Sequence, residues 1–183
     1  MPDTIFDAAV FDFDGTLAEL VLDFTAMKQL VARQAAAFLP DVPPANGLPA
    51  LEYAAKLAAA IARTDPDASR RFAAQTAQGI EAMETDGAAR ASLFPETRAA
   101  LAALAGRGVK VGVITRNCRR AVLTVFPDLH DFVGVLVARD DTPRVKPDPE
   151  HLLAALAALR AAPARSLMVG DHPMDLAVGK AAG

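Results

Sequence analysis

The chain has 183 residues, 52% of them hydrophobic but only 5% aromatic and none of them Trp. One ordinary core with a small insertion can be closed, mainly by helices over aliphatic strands, and an all-β architecture is disfavoured. A formal balance of −3, from 19 Lys+Arg and 22 Asp+Glu, leaves no broad basic surface for nucleic acid and no acidic tail.

Cys118 is the single cysteine and the histidines number three, so neither an internal disulfide nor a Cys/His zinc site is available. A reducing cytoplasm is the expected location. Met1-Pro2-Asp3-Thr4 is acidic and leads straight into a strand pattern, without the basic start and long apolar stretch of a secretion signal. No window reaches the ~18 uncharged apolar residues of a membrane span. The oligomeric expectation is a monomer or homodimer.

In chain order, the first apolar run is Ala8-Ala9-Val10-Phe11, stopped by Asp12-Phe13-Asp14-Gly15-Thr16. It predicts a buried strand that ends in a functional loop. From about Leu20 the apolar spacing turns helical and persists to Pro40, and Pro43-Pro44-Ala45-Asn46-Gly47 breaks it. Ala50 to Arg63 predicts a second helix. A third starts at Pro66, with Asp65 as N-cap, and runs towards Gly87. No strand is expected from about 18 to 93.

The pattern changes after Phe94-Pro95. Glu96 to Ala105 predicts a helix, Val109 to Ile114 a strand, Arg119 to Val125 a helix and Val133 to Val137 a strand. Pro149 to Leu159 predicts a helix, Ser166 to Val169 a fourth strand, and Pro173 to Gly183 a last helix. Such alternation implies a parallel sheet with helical crossovers.

Ligands of such sheets gather at the carboxyl ends of the strands. The residues following the predicted strands are Asp12 and Asp14, then Thr115, then Asp171 and Asp175, with Lys146 ahead of the helix that leads into the last strand. Acidic, hydroxyl and basic groups thus converge on one edge.

Asp12-Phe13-Asp14-Gly15-Thr16, Ile114-Thr115, Lys146-Pro147-Asp148-Pro149 and Gly170-Asp171-His172-Pro173-Met174-Asp175 resemble the four ordered motifs of the haloacid dehalogenase superfamily of phosphatases. The branch most resembled is the phosphoglycolate-phosphatase-like one. The resemblance implies a Rossmann-like α/β core at 1–17 and 93–183 and an inserted all-helical cap at 18–92. It also implies a Mg²⁺-dependent phosphatase acting on a small phosphorylated metabolite through an aspartyl-phosphate intermediate.

The residue types suit that chemistry. A carboxylate that attacks phosphorus forms a mixed anhydride, which water hydrolyses more easily than the ester, and Asp12 is the candidate nucleophile. Asp14 is placed to protonate the leaving alkoxide and later deprotonate the attacking water. A carboxylate facing a phosphate dianion needs a hard cation with oxygen ligands, and Mg²⁺ suits Asp12, the backbone carbonyl of Asp14, and Asp171. Lys146 and Thr115, with the backbone N–H groups of Arg116 and Asn117, are the candidates for holding the phosphoryl oxygens, and the Arg116 side chain for a further anion contact. Asp175, about one helical turn beyond Asp171, is expected to orient Lys146 or a metal-bound water.

Blander readings stand beside these. Asp12 and Asp14 could be an Asp-rich turn, Thr115 a helix N-cap, His172 a loop residue and Cys118 a small packed side chain. Within the resemblance, a dehalogenase would not need Asp14, a phosphomutase would use the same core, and a non-catalytic binding module could retain the fold. Three departures from the usual pattern are Ala18-Glu19-Leu20 after the first motif, Val145 before Lys146, and the end at Gly183. The resemblance calls for one more strand and helix. The strand at Ser166 to Val169 is therefore expected to be an exposed edge, the helix after it poorly anchored, and the chain to belong to a form some tens of residues longer.

Overall fold

A computed structural model describes residues 5–183, so the reading of Met1 to Thr4 lies outside the described residues. Short, mainly apolar runs form the strands β1 (Ala8–Phe11), β2 (Lys110–Ile114), β3 (Val135–Val137) and β4 (Ser166–Val169). They form one sheet in the order β3-β2-β1-β4, with all pairs parallel. β1 is therefore central, with β2 and β3 to one side and β4 to the other.

The two-residue period sorts the sheet's side chains onto two faces. Val111 and Val113 point into a cluster with Phe13, Leu101, Val122, Phe126, Leu129 and Leu136. Ala8, Val10, Ile114 and Val137 point into the opposite cluster, with Leu152, Ala155, Leu156 and Leu159. Helices α4 (Thr97–Gly106) and α5 (Arg119–Val125) supply residues to the first face, and α6 (Pro149–Leu159) and α7 (Pro173–Ala182) to the second.

Three further helices, α1 (Phe24–Ala35), α2 (Ala50–Ala62) and α3 (Pro66–Ala88), occupy the region between β1 and α4, and no strand is described there. Contacts divide the chain into two compact units, one made of the residues up to Val21 with Gly87–Gly183, the other of Leu22–Asp86. The second unit has its own core, with Met27, Val31, Tyr53, Leu57, Ile61, Phe72 and Ile80 at its centre. Within the first unit the segments at 17–19 and 92–94 run side by side. Ala18 bridges Leu93 antiparallel, the Glu19 N–H donates to the Ser92 carbonyl at 2.9 Å, and the Phe94 N–H donates to the Leu17 carbonyl at 3.1 Å.

Local chemistry explains where element ends depart from the expectation. Helix α1 starts at Phe24 instead of Leu20 because Asp23 caps it, accepting from the Ala26 N–H at 2.8 Å. Asp65 caps α3 as expected, accepting from the Ala68 N–H at 2.9 Å. Strand β3 starts at Val135, not Val133, because the Val133 N–H closes a turn onto the Leu129 carbonyl at 3.1 Å. The last helix corrects the expectation of poor anchorage: Val178 of α7 is fully buried in the cluster with Leu152 and Leu156, and Asp175 is buried at its start. β4 pairs with β1 alone among the described residues, and its Leu167 is 43% exposed.

Candidate active site

The parallel register sets the ends of β1, β2 and β4 level, so residues that follow them in sequence meet in space. The Asp12 N–H donates to the Val169 carbonyl at 2.8 Å, and the Thr115 N–H donates to the Val137 carbonyl at 3.2 Å, extending the sheet pattern one residue into the loops. Beyond Asp12 the chain must turn at once. Gly15 does so with φ +83, a left-handed conformation that glycine adopts without steric penalty. A Cβ there would also collide with the Asp171 carboxylate.

Lys146 is the charged centre of this edge. Its Nζ lies 2.7 Å from Asp12 Oδ1 and 2.7 Å from Asp175 Oδ1, with only 3% of its side chain exposed. Asp12 Oδ1 accepts a second bond from the Phe13 N–H at 2.7 Å. Burial pushes the Asp12 carboxyl up to about 6, against the opposing pull of Lys146.

Asp14 is held through both oxygens. Oδ2 accepts from the Thr115 hydroxyl at 3.0 Å and Oδ1 from the Asn117 side-chain amide at 3.0 Å. Burial raises its pKa, with Asn117 and Thr115 acting in the opposite direction. The Thr115 hydroxyl also accepts from the Asn117 N–H at 3.0 Å, so residues 115–117 form a small network that faces Asp14.

Asp175 is buried, with Oδ1 on Lys146 and Oδ2 accepting from the His172 N–H at 3.0 Å. Gly170 makes room for it, because a Cβ at that position would collide with the Asp175 carboxylate. Asp171 is exposed, and its Oδ1 accepts from the Thr16 hydroxyl at 3.3 Å. Asp12, Asp171 and Asp175 each bring one carboxylate oxygen within 4.8 Å of the others. Hard oxygen donors grouped this closely suit a divalent cation such as Mg²⁺.

Arg116 does not stand over the site as a lone cation. One of its guanidinium nitrogens, Nη1, donates to the Lys146 carbonyl at 2.9 Å and approaches Met174 Sδ at 3.1 Å. Cys118 is buried at the start of α5, its sulfur accepting from the Ala121 N–H at 3.4 Å. His172 caps α7, accepting from the Met174 N–H at 3.1 Å. Two participants were not singled out in the sequence. Thr16 reaches Asp171, and its place as the last residue of the first motif is the available signal. His151 has no such signal, since a histidine one turn into a helix can face either side, yet it is fully buried beside Lys146.

The haloacid dehalogenase-like hydrolase family matches residues 6–183. The phosphoglycolate phosphatase of Rhodospirillum rubrum is 34% identical over 184 residues, covering 96% of this chain and 76% of that protein. A plasmid-borne phosphoglycolate phosphatase of Cupriavidus necator is 32% identical, covering 96% and 77%. Among solved structures, CbbY of Rhodobacter sphaeroides in complex with phosphate shares the fold, with a TM-score of 0.61 at 21% identity over 97% of this chain and 83% of that one. The chain belongs to the haloacid dehalogenase-like hydrolase family. Within that family it is an enzyme of the phosphatase class. No helix among the described residues is long and apolar enough to cross a membrane.

Proposed function

We propose that this enzyme hydrolyses a small phosphate monoester with Mg²⁺, through an aspartyl-phosphate on Asp12, and that 2-phosphoglycolate is the first substrate to test. The observation that carries the mechanism is the pair of carboxylates two residues apart in different settings. Asp12 is fastened through Oδ1 alone, by Lys146 and Phe13, while Asp14 is held by Thr115 and Asn117. The substrate choice rests on relatives that are phosphoglycolate phosphatases and that align along nearly the whole chain.

Asp12 attacks phosphorus through Oδ2, the oxygen that accepts no bond among the described residues, while Lys146 keeps the carboxylate oriented. The phosphorus–oxygen bond to the leaving group breaks, and Asp14 delivers its proton to the departing alkoxide. Its raised pKa favours holding that proton beforehand. In the second half, Asp14 takes a proton from the attacking water, and the acyl phosphate is cleaved to inorganic phosphate and free Asp12. Asp12, Asp171 and the backbone carbonyl of Asp14 would hold Mg²⁺, which supplies charge neutralisation for the phosphoryl oxygens. Thr115 and the N–H groups of residues 116–117 are the candidate donors to those oxygens, the Thr115 hydroxyl and the Asn117 N–H exchanging their bonds to Asp14 Oδ2 and Thr115 Oγ1 for the substrate. Asp175 acts through Lys146.

The all-helical unit, inserted between the first two motifs, serves as the cap that selects the substrate, because the core residues address only the phosphoryl group. The paired segments at 17–19 and 92–94 are its hinge. Release of inorganic phosphate from a panel of monoesters, including 2-phosphoglycolate, with Mg²⁺ and with EDTA, tests the reading. Mg²⁺-dependent turnover supports it, and a chain inactive on every ester with Mg²⁺ overturns it. The non-catalytic alternative finds no support in the filled set of acidic and basic positions.

A further inference from the structure

Lys146 lies in a turn, outside any helix or strand, and the residue after it is a proline with no N–H. Its ammonium group sits at the far end of a flexible four-carbon stem. Holding that group on both Asp12 and Asp175 requires the root of the side chain to be fixed as firmly as its tip.

The root is held by side chains, not by a backbone ladder. The Lys146 N–H donates to His151 Nδ1 at 3.1 Å, and the Lys146 carbonyl accepts from Arg116 Nη1 at 2.9 Å. Each partner is itself anchored. His151 Nε2 bonds the Val137 carbonyl at 2.9 Å, at the end of β3. Arg116 directly follows Thr115 at the end of β2, and the Arg116 carbonyl accepts from Arg139 Nη1 at 3.1 Å. Nδ1 must be an acceptor for the Lys146 N–H, which fixes the neutral tautomer with the proton on Nε2.

We propose that Arg116 and His151 are positioning residues that clamp the two backbone groups of Lys146 and so set its ammonium between Asp12 and Asp175. The inference rests on the phosphatase reading for its kinetic consequence, but the clamp itself is a property of the folded chain. Full burial of His151, which disfavours its charged form and lowers its pKa, keeps the acceptor available. Arg116 is thereby given a task different from direct anion binding: it couples the loop after β2 to the lysine that lies across the site from it.

The test uses the full chain and two readouts. Acetic anhydride labelling at fixed pH, followed by mass spectrometry, gives the modification rate of the Lys146 amine relative to the exposed Lys56. Turnover of p-nitrophenyl phosphate with Mg²⁺ gives kcat and KM. Arg116→Met and His151→Leu are each expected to raise relative Lys146 labelling by about tenfold and to lower kcat by about tenfold or more, the scale of a displaced catalytic group. His151→Asn, which restores an acceptor near the Nδ1 position, should recover most of both. Val122→Ala serves as the stability control, because Val122 is buried in the core cluster on the opposite face of the sheet and should leave relative labelling unchanged.

Lys146 labelling at the wild-type rate in either clamp variant overturns the proposal, whatever happens to turnover. An equal rise in Val122→Ala also overturns it, since general loosening would then explain the effect. A wild-type chain that releases no phosphate, with labelling that still responds to the clamp variants, sustains the clamp and overturns the phosphatase reading instead.

Discussion

The unit made of the residues up to Val21 with Gly87–Gly183 and the unit Leu22–Asp86 both close on apolar cores, but among the described residues only the first gathers several buried charged groups at one sheet edge. The first buries Asp12, Lys146, Asp175 and His151 at the carboxyl edge of its sheet, each with a named partner. The second is closed chiefly by Leu57, Ile61, Phe72, Ile80 and their aliphatic neighbours. Burying charge is costly even when it is paired, whereas apolar burial stabilises by ~25 cal/mol per Å². The chemistry thus sits where the fold gives up stability, and the helical unit is free to vary its exposed surface around a conventional core.

The largest effect that would break this contrast is at Asp12. Asp12→Asn is expected to reduce phosphate release to background while the fold persists, because the amide is nearly isosteric but is neither nucleophilic nor anionic. Retained turnover, with circular dichroism unchanged, would remove Asp12 from the mechanism. Asp14→Asn is expected to lower kcat by ~10²–10⁴-fold. An ester with a strongly acidic leaving group should suffer less, and equal losses for both ester types would argue against a general-acid role.

In the helical unit the corresponding loss is one of stability. Phe72 is fully buried and packs edge-on against Phe38 at 5.9 Å between ring centroids. Phe72→Ala should cost ~3–5 kcal/mol, measured by chemical denaturation. Amide exchange should rise first within 22–86, and an even rise across both units would show that they unfold as one.

Asp12 also links stability to pH. Its carboxyl is raised from 3.8 to about 6, so the folded chain binds this proton more tightly than the unfolded chain does. Folding stability should therefore fall as pH rises from about 4 through 6 and level off above. Removing the ionisable group by Asp12→Asn should stabilise the metal-free chain in EDTA at pH 8 by up to ~3 kcal/mol, with the gap closing towards pH 4. Thermal melts across that range check the sign, and a variant less stable at pH 8 would show that pairing with Lys146 outweighs burial. The smallest effect is at the α3 cap, where Asp65→Ala should cost ~1 kcal/mol in thermal unfolding without altering kcat.

Much of the architecture was legible because its signals are local. Alternating strand and helix periods, the Pro-started helices at Pro66, Pro149 and Pro173, and the carboxylates after the strands each depend on a few neighbouring residues. Hence α5, α6 and β4 fall where the pattern puts them. Element ends moved where one side chain decided the matter, as at Asp23, whose preference for capping is strong but whose competition with Leu20 for the helix start is settled by geometry. The anchorage of α7 is not legible locally, because Val178 meets Leu152 and Leu156, residues of another helix whose proximity no local pattern encodes.

The same division runs through the site. Residue type and order along the chain were enough to determine which carboxylates, hydroxyl and lysine gather at one sheet edge, since parallel strands bring their carboxyl ends level. Partner choice was decided only by the tertiary structure. Thr115 and Asn117 bind Asp14, Arg116 binds the Lys146 carbonyl, and His151 connects Lys146 to the end of β3. Hydrogen bonds depend on distances of a few tenths of an ångström between groups some 5 to 103 residues apart, and on the direction each side chain takes when its neighbours leave it one place to go.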